Sequence, residues 1–397
     1  MKVFFSAAEA SSDTHAAEAL KRLTALCGRR GVNLDAFGVG GPKLRAAGLR
    51  VLLPAEELLA MGFVEVVGRL PKIRRDLARL ARAAAIEKPD AAVLCDYPDF
   101  HFKLARRFRP LGFPIACFIP PKIWVWRKSR IRFLAEYYDR VLSILPFEQS
   151  TYAGSPVAFR YVGNPLMDEL PLTLTRDAAR TALGLGPDET VIAMLVGSRP
   201  SEFRFHLEPM LKAVRILQDR RGGEKPRVLV PLPETADLVL FRRRLAEIPI
   251  AQGLDLRVSR GDAWAAMKAA DAGLIKSGTS SLEAALLDLP HVVVYRAHPV
   301  SEFIFKHLIR YRKPISLTNL IAPKSPGARV VPELILERFT PGRMADELGA
   351  LLGEAGSSRR AEMRGAFSEI RRVLGERSPS ERVAEEIFAL ASGGKTP

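Results

Sequence analysis

Cysteine is scarce: the chain has three in 397 residues, Cys27, Cys95 and Cys117, with no CxxC spacing. That argues against a disulfide framework and a cysteine-based zinc site, and leaves three small buried apolar groups. No apolar run approaches the roughly 20 residues that span a bilayer. The opening Met1-Lys2-Val3-Phe4-Phe5 runs straight into motif-like sequence, too soon for a signal peptide, so a cytoplasmic protein is expected. There is no GxGxxG after the first strand, which disfavours a nicotinamide site. There is no His-x-Glu or paired-His spacing either. His15, His101, His206, His291, His298 and His307 lie apart, so none is assigned to a metal and no cofactor is expected. No RNA-binding signature is present, and nucleic acid is not an expected partner.

What is present suits a packed protein: 48% hydrophobic and 26% charged residues, in a length that fits two domains better than one core. The formal net charge of +16 is compatible with nucleic acid, an anionic membrane surface, phosphorylated substrates, or merely solvated arginine-rich helices. Charge alone does not choose among them.

Short apolar strands alternate with helical patterns. Strands are predicted at 3–6, 34–41, 91–95, 115–119 and 140–145, then at 191–196, 227–232, 273–275 and 292–295. Helices are predicted at 13–27 and about 203–219. This is the signature of βαβ units and parallel sheets. Gly163, Pro165 and Pro171 interrupt the pattern at a junction near 160–175, and a basic helical tail follows from about 341. The expected fold is α/β, two Rossmann-like domains facing a cleft, with C-terminal helices packing back on the first. The expected boundaries are 1–165, 166–345 and a helical tail 346–397. Ligands of such sheets bind at strand C-terminal ends.

The candidate motifs fall at those ends. Ser6-Ala7-Ala8-Glu9-Ala10-Ser11-Ser12-Asp13 joins the first strand to the first helix. Its small residues and helix amides suit an anion, or Ser11, Ser12 or Asp13 simply caps the helix. Asp96-Tyr97-Pro98-Asp99-Phe100 follows the 91–95 strand. Pro98 restricts the turn, and one carboxylate is placed to act as general base for a sugar hydroxyl, against a solvated turn with Asp99 as a cap. Gly197-Ser198-Arg199-Pro200-Ser201-Glu202 combines a turn, an arginine and a helix start that suit a diphosphate. Ser277-Gly278-Thr279-Ser280-Ser281-Leu282-Glu283 reads as a second phosphate turn, with Glu283 for ribose hydroxyls, or as a capping box of Ser280 and Glu283. Three apolar-basic segments suit an anionic membrane or acylated phosphates, or are core-facing helices with solvated arginines. They carry Met61, Phe63 and Val64 ahead of Lys72, Arg74, Arg75, Arg79 and Arg82; Trp124 and Trp126; and Phe303 and Phe305.

In this order the clusters resemble the lipid-A-disaccharide synthase family, of glycosyltransferase-B fold. The resemblance runs from the first strand to about residue 335. It also rests on Gly38-Val39-Gly40-Gly41-Pro42-Lys43, Met61-Gly62-Phe63-Val64-Glu65-Val66, Trp124-Val125-Trp126-Arg127, Ile144-Leu145-Pro146-Phe147-Glu148 and Val162-Gly163-Asn164-Pro165-Leu166. Tyr295-Arg296, Asn319-Leu320-Ile321-Ala322 and Val330-Val331-Pro332-Glu333-Leu334 complete it. The chain departs from the family pattern at Ala8, Ser12, Tyr97, Asn164 and Val196.

The resemblance implies a metal-free inverting transfer of 2,3-diacylglucosamine from its UDP derivative to 2,3-diacylglucosamine 1-phosphate, forming a β-1′,6 bond and releasing UDP. It implies work at the cytoplasmic leaflet of the inner membrane, as a peripheral protein, and the option of a homodimer. On it, Asp96 is the expected base, and Glu9, Ser11, Asp13 and Asp99 shape the acceptor side. Gly197, Ser198, Arg199, Ser277, Gly278, Thr279 and Glu283 are expected to bind the UDP-sugar, with Tyr295 and Asn319 carried over by motif. Two rivals stand beside it: a same-fold UDP-N-acetylglucosamine epimerase, and a non-catalytic basic membrane- or nucleic-acid-binding protein.

Overall fold

The apolar runs pair in parallel, forming two sheets in a computed structural model that describes residues 1–59, 70–124, 129–222, 225–234, 236–296, 314–322, 329–375 and 378–393. The first sheet holds β1 (Lys2–Ala7), β2 (Asp35–Gly40), β3 (Arg50–Pro54), β4 (Ala91–Cys95), β5 (Ile115–Phe118), β6 (Arg140–Ser143) and β7 (Phe159–Tyr161), in the order β3-β2-β1-β4-β5-β6-β7. The second holds β8 (Val191–Leu195), β9 (Arg227–Leu232), β10 (Asp255–Arg260), β11 (Ala272–Lys276), β12 (His291–Tyr295) and β13 (Glu333–Ile335), in the order β10-β9-β8-β11-β12-β13. The α/β class and the paired Rossmann-like sheets read from sequence are both present. Central strands such as β4 and β8 are buried at every position, as sheets covered on both faces require.

Both sheets reverse strand order at one place, between β1 and β4 and between β8 and β11. Such switch points open a crevice at the strand C-terminal ends. Register fixes what meets there. Ala7 pairs with Cys95, and Leu195 pairs with Ile275. The loops after β1 and β4 therefore leave side by side, as do those after β8 and β11.

The chain forms two compact units, Met1–Asp168 with Glu376–Pro397, and Glu169–Gly375. The segment read as one tail serves both. The Ser357–Leu374 helix stays with the second unit. The Pro379–Ala391 helix packs on the Ala10–Arg29 helix, where Val383, Ala384, Ile387 and Leu390 join the core of Leu20 and Leu23. Each large apolar side chain so buried is worth about 1.5–3 kcal/mol. Asp168 fastens the join, its Oδ2 accepting from Ser378 Oγ and Ser380 N at 2.9 Å. In the second unit, buried Arg180 donates to the carbonyls of Ala269, Gly186, Pro187 and Glu189 and to Asp271. Asp271 in turn accepts from Val191 N at the start of β8.

Candidate active site

Two carboxylates of the first loop have structural partners. The Ala10–Arg29 helix is capped at Glu9, not at Ser11, Ser12 or Asp13. Glu9 N donates to Ser12 Oγ at 3.1 Å, and that hydroxyl donates back to Glu9 O at 2.9 Å. Asp13 is buried and caps a different helix: its oxygens accept from Gly41 N at 2.7 Å, Lys43 N at 2.8 Å and Leu44 N at 3.3 Å. A Cβ on Gly41 would lie 2.7 Å from Asp13 Oδ2, so this close approach requires glycine. Ser11 is exposed in the first helical turn.

Asp96 stands at the end of β4, where the backbone turns sharply. Its φ is +54° and that of Tyr97 is +48°, both left-handed. That geometry costs an L-residue roughly 1–2 kcal/mol, and such strain collects at functional sites. Burial raises the proton affinity of Asp96 above the ordinary carboxylate value, against the Tyr97 amide and the charges of Lys122 and His15. Groups whose proton affinity burial shifts in this way collect at functional sites. Burial first, then Glu9 and Asp99, raises the Tyr97 hydroxyl, so Tyr97 lies near both carboxylates. Asp99 points outward, with its side chain 85% exposed, and pairs with Arg130 at 3.0 Å.

In the second unit, Gly197-Ser198-Arg199 turns from β8 into the Pro200–Arg220 helix. The turn already holds a carboxylate. Glu202 Oε2 accepts from Ser198 N at 2.7 Å and Arg199 N at 3.3 Å, and its Oε1 pairs with Lys276 Nζ at 2.6 Å. Gly197 has φ +113°, and a Cβ there would meet Glu202 Oε2 at 2.3 Å. Two backbone amides expected for the diphosphate are thus taken by Glu202, while the Arg199 side chain is exposed. Across the switch point, Gly278 is the N-cap of the Thr279–Leu286 helix, so the Ser280–Glu283 box does not form. The first-turn amides of that helix start beside Ser277, whose N is bonded to Val294 O. Glu283 lies further along the same helix, half-buried. Lys276 also lies over the Tyr295 ring at 5.8 Å, so β11, β12 and the β8 turn converge. His206 ties this together: its Nδ1 faces Glu202 O at 2.8 Å and its Nε2 accepts from Arg296 N at 3.0 Å.

Asn319 sits elsewhere in the network. Its Oδ1 accepts from Val331 N, and its Nδ2 donates to Val331 O and Glu333 Oε1. Its amide clamps the chain before β13. Trp124 is half-buried: its indole N–H donates to Glu148 at 3.0 Å and its ring meets Phe147 edge-on. Met61, Phe63, Val64, Trp126, Phe303 and Phe305 lie outside the described residues.

Ser6, Glu148 and Glu202 read in sequence only as members of their motifs, and no role was foreseen for His101, His206 or Lys276. Glu202 had a signal, since it follows Arg199 by the three residues of a capping box. His101 had one too, lying on the apolar face of its helix with Phe100, Leu104 and Phe108.

Residues 3–387 match the family described as lipid-A-disaccharide synthetase. The chain belongs to that family. A lipid-A-disaccharide synthase of Anaeromyxobacter dehalogenans (strain 2CP-C) is 42% identical over 389 residues, covering 98% of this chain and 97% of that protein. Among solved structures, the UDP-GlcNAc 2-epimerase of Neisseria meningitidis bound to UDP-GlcNAc has a TM-score of 0.61 at 11% identity, covering 98% of each chain. A calicheamicin glycosyltransferase has 0.51 at 16%, covering 100% of this chain and 99% of its own. At such identities the two structures establish the glycosyltransferase-B type of fold and no more. Membership of the lipid-A-disaccharide synthase family over nearly the whole chain sets aside the epimerase and the non-catalytic readings.

Proposed function

We propose that the chain transfers 2,3-diacylglucosamine from its UDP derivative to the 6-hydroxyl of 2,3-diacylglucosamine 1-phosphate, releasing UDP. Lipid A disaccharide synthesis by an inverting hexosyltransferase is the activity of its family. The particular acylated substrates and the residue roles are our reading. The observation that carries it is Asp96, a desolvated carboxylate in left-handed backbone at the switch point of the first sheet.

In this reading Asp96 takes the proton of the acceptor 6-hydroxyl as that oxygen attacks C1 of the donor sugar. The C1–O bond to the diphosphate breaks, its electron pair leaves with UDP, and the configuration at C1 inverts. Charge builds on the departing diphosphate, where fixed cations and helix amides act most strongly. Arg199 and the Ser277-Gly278-Thr279 turn fill that role, and Glu283 holds the ribose. Glu9, Ser11, Asp13 and Asp99 shape the acceptor side, Glu9 and Asp99 beside Tyr97 and Asp13 through the Gly41 turn.

Attachment to an anionic membrane is part of the proposal. No helix among the described residues is long and apolar enough to cross a bilayer. Arg74, Arg75, Arg79 and Arg82 are exposed on the Leu70–Glu87 helix, and in this reading they meet lipid phosphates at the cytoplasmic leaflet.

The test is a UDP-release assay with the acylated acceptor, and with acceptor omitted. Asp96→Asn keeps the side-chain shape and removes the base. Turnover is expected to fall roughly 10²–10⁴-fold, with UDP affinity by calorimetry unchanged. Wild-type turnover in the folded variant would pass the role to Glu9 or Asp99.

A further inference from the structure

His101 is a buried titratable group to which the proposed reaction gives no role. It is 1% exposed, on the inner face of the Pro98–Phe108 helix. Its Nδ1 lies 2.5 Å from the carbonyl oxygen of Asp96. Its Nε2 lies 2.7 Å from Oγ of Ser6, fully buried near the end of β1. A carbonyl oxygen only accepts, so Nδ1 carries the ring proton, and Nε2 accepts from the Ser6 hydroxyl. Burial moves His101 down to about 4, which keeps the ring neutral at neutral pH and the tautomer fixed. The Tyr97 and Phe100 rings pack beside it.

The ring grips the backbone at its tightest turn. Asp96 and Tyr97 are consecutive left-handed residues, and neither is glycine. Asp96 N donates to Phe118 O at 2.8 Å, so Asp96 is tied to β5 through its amide and to β1 through His101 and Ser6. The strand ends that border the turn thus fix the two peptides on either side of the Asp96 Cα. A carboxylate on a turn held this way has its direction set by the backbone.

We propose that Ser6 and His101 form a positioning relay that holds the Asp96–Tyr97 turn and aims the Asp96 carboxylate at the acceptor hydroxyl. This rests on Asp96 being the base. His101 carries no proton in the reaction; it acts only through the main chain of Asp96. The arrangement ties the helix after β4 to the end of β1, so the strand that leads into the acceptor-side loop also sets the base.

The test compares four variants in the UDP-release assay. His101→Phe keeps a ring and removes both bonds; His101→Asn keeps one amide donor; Ser6→Ala removes only the outer bond; Asp96→Asn is the control. His101→Phe is expected to lower kcat about 10–100-fold, the scale of a small misplacement of a catalytic group. KM for the acceptor and UDP affinity should change little. The acid limb of the kcat/KM profile, set by Asp96 with Lys122 and His15 as charged neighbours, should move to lower pH as the carboxylate gains access to water. His101→Asn should recover part of kcat, and Ser6→Ala should lose about 3–10-fold by the same misplacement argument. Unchanged kcat and pH profile in folded His101→Phe would overturn the relay. Should that variant not fold, unchanged kcat and profile in both Ser6→Ala and His101→Asn would do so. A control Asp96→Asn with full turnover would instead overturn the reading of the base.

Discussion

Glu148→Gln should stabilise the first unit at pH 8 and flatten its dependence on pH. Glu148 is 1% exposed, just beyond β6, accepting from the Ser143 hydroxyl and the Trp124 indole. Burial pushes it from 4.5 up to about 7, against the pull of those two bonds and of Lys122. Each tenfold change in proton affinity is worth about 1.4 kcal/mol, so the full distance corresponds to roughly 3 kcal/mol. The sign follows from proton counting. Between pH 4.5 and 7 the folded state binds more protons than the unfolded one, so stability falls as pH rises. The contribution is fully present below about 4.5 and lost above about 7. Glutamine keeps a carbonyl for Trp124, but its NH₂ obliges the Ser143 hydroxyl to turn and accept, at a cost of about 1 kcal/mol. The net gain at pH 8 is therefore about 1–2 kcal/mol, shrinking to nothing or a slight loss near pH 5. Hydrogen exchange of peptides covering 140–152, read at pH 5, 6.5 and 8 after correction for intrinsic exchange, measures it region by region. A wild type equally protected at all three, or a variant with the same slope, would refute the reasoning.

Arg199→Ala should weaken UDP binding by about 1.5–3 kcal/mol, the range for hydrogen bonds to charged groups; titration calorimetry with unchanged affinity would remove Arg199 from the donor site. Lys276→Met leaves Glu202 largely buried without its cation, and removal of one partner of a buried pair costs about 3–5 kcal/mol; with two amides still bonded to Glu202, and both side chains about one-sixth exposed, about 2–3 kcal/mol is expected. Glu202→Gln added to Lys276→Met should recover part of it in urea unfolding, and additive losses would deny the coupling. Because the contacts of Glu202, led by Lys276, lower its proton affinity against burial, the pair's contribution is present above the ordinary carboxylate range and lost as pH falls through the lowered value. Flotation with anionic vesicles should fall at high salt, at about 1 kcal/mol per well-placed cation; equal recovery with neutral vesicles would contradict an electrostatic attachment.

The sheet cores were legible because buried parallel strands are continuous apolar runs. Ala91–Cys95 and Arg227–Leu232 match the predicted bounds residue for residue. The four strands not foreseen, β3, β7, β10 and β13, are the edges of the two sheets, and β3 is a three-residue apolar run between Arg50 and Pro54. β7 and β13 have three residues each, and β10, Asp255–Arg260, is an edge strand that alternates charge with apolar residues. The motifs were legible as positions at strand ends but not as hydrogen bonds. Asp13 sits in a cluster that suits an anion, yet its carboxylate serves a helix beginning 29 residues later. Asn319 reads as a donor-site residue by motif, while its amide is used on Val331 and Glu333. Partners that distant in sequence leave no local pattern to read.

Hydrogen-bond accounting narrows the choice of base further than spacing does. Four carboxylates stand in the loops after β1 and β4. Asp13 accepts three backbone amides that hold it against the Gly41 turn. Asp99 is exposed and paired with Arg130. Glu9 is the N-cap of the Ala10–Arg29 helix and is engaged in its capping box. For Asp96 burial is the leading influence, opposed but not cancelled by the Tyr97 amide, Lys122 and His15. A base must hold its proton weakly enough to be ready and strongly enough to take one, and the upward direction of the Asp96 shift suits the role proposed for it. The same environment leaves the direction of the carboxylate dependent on a left-handed turn, so the fold that tunes the base must also aim it.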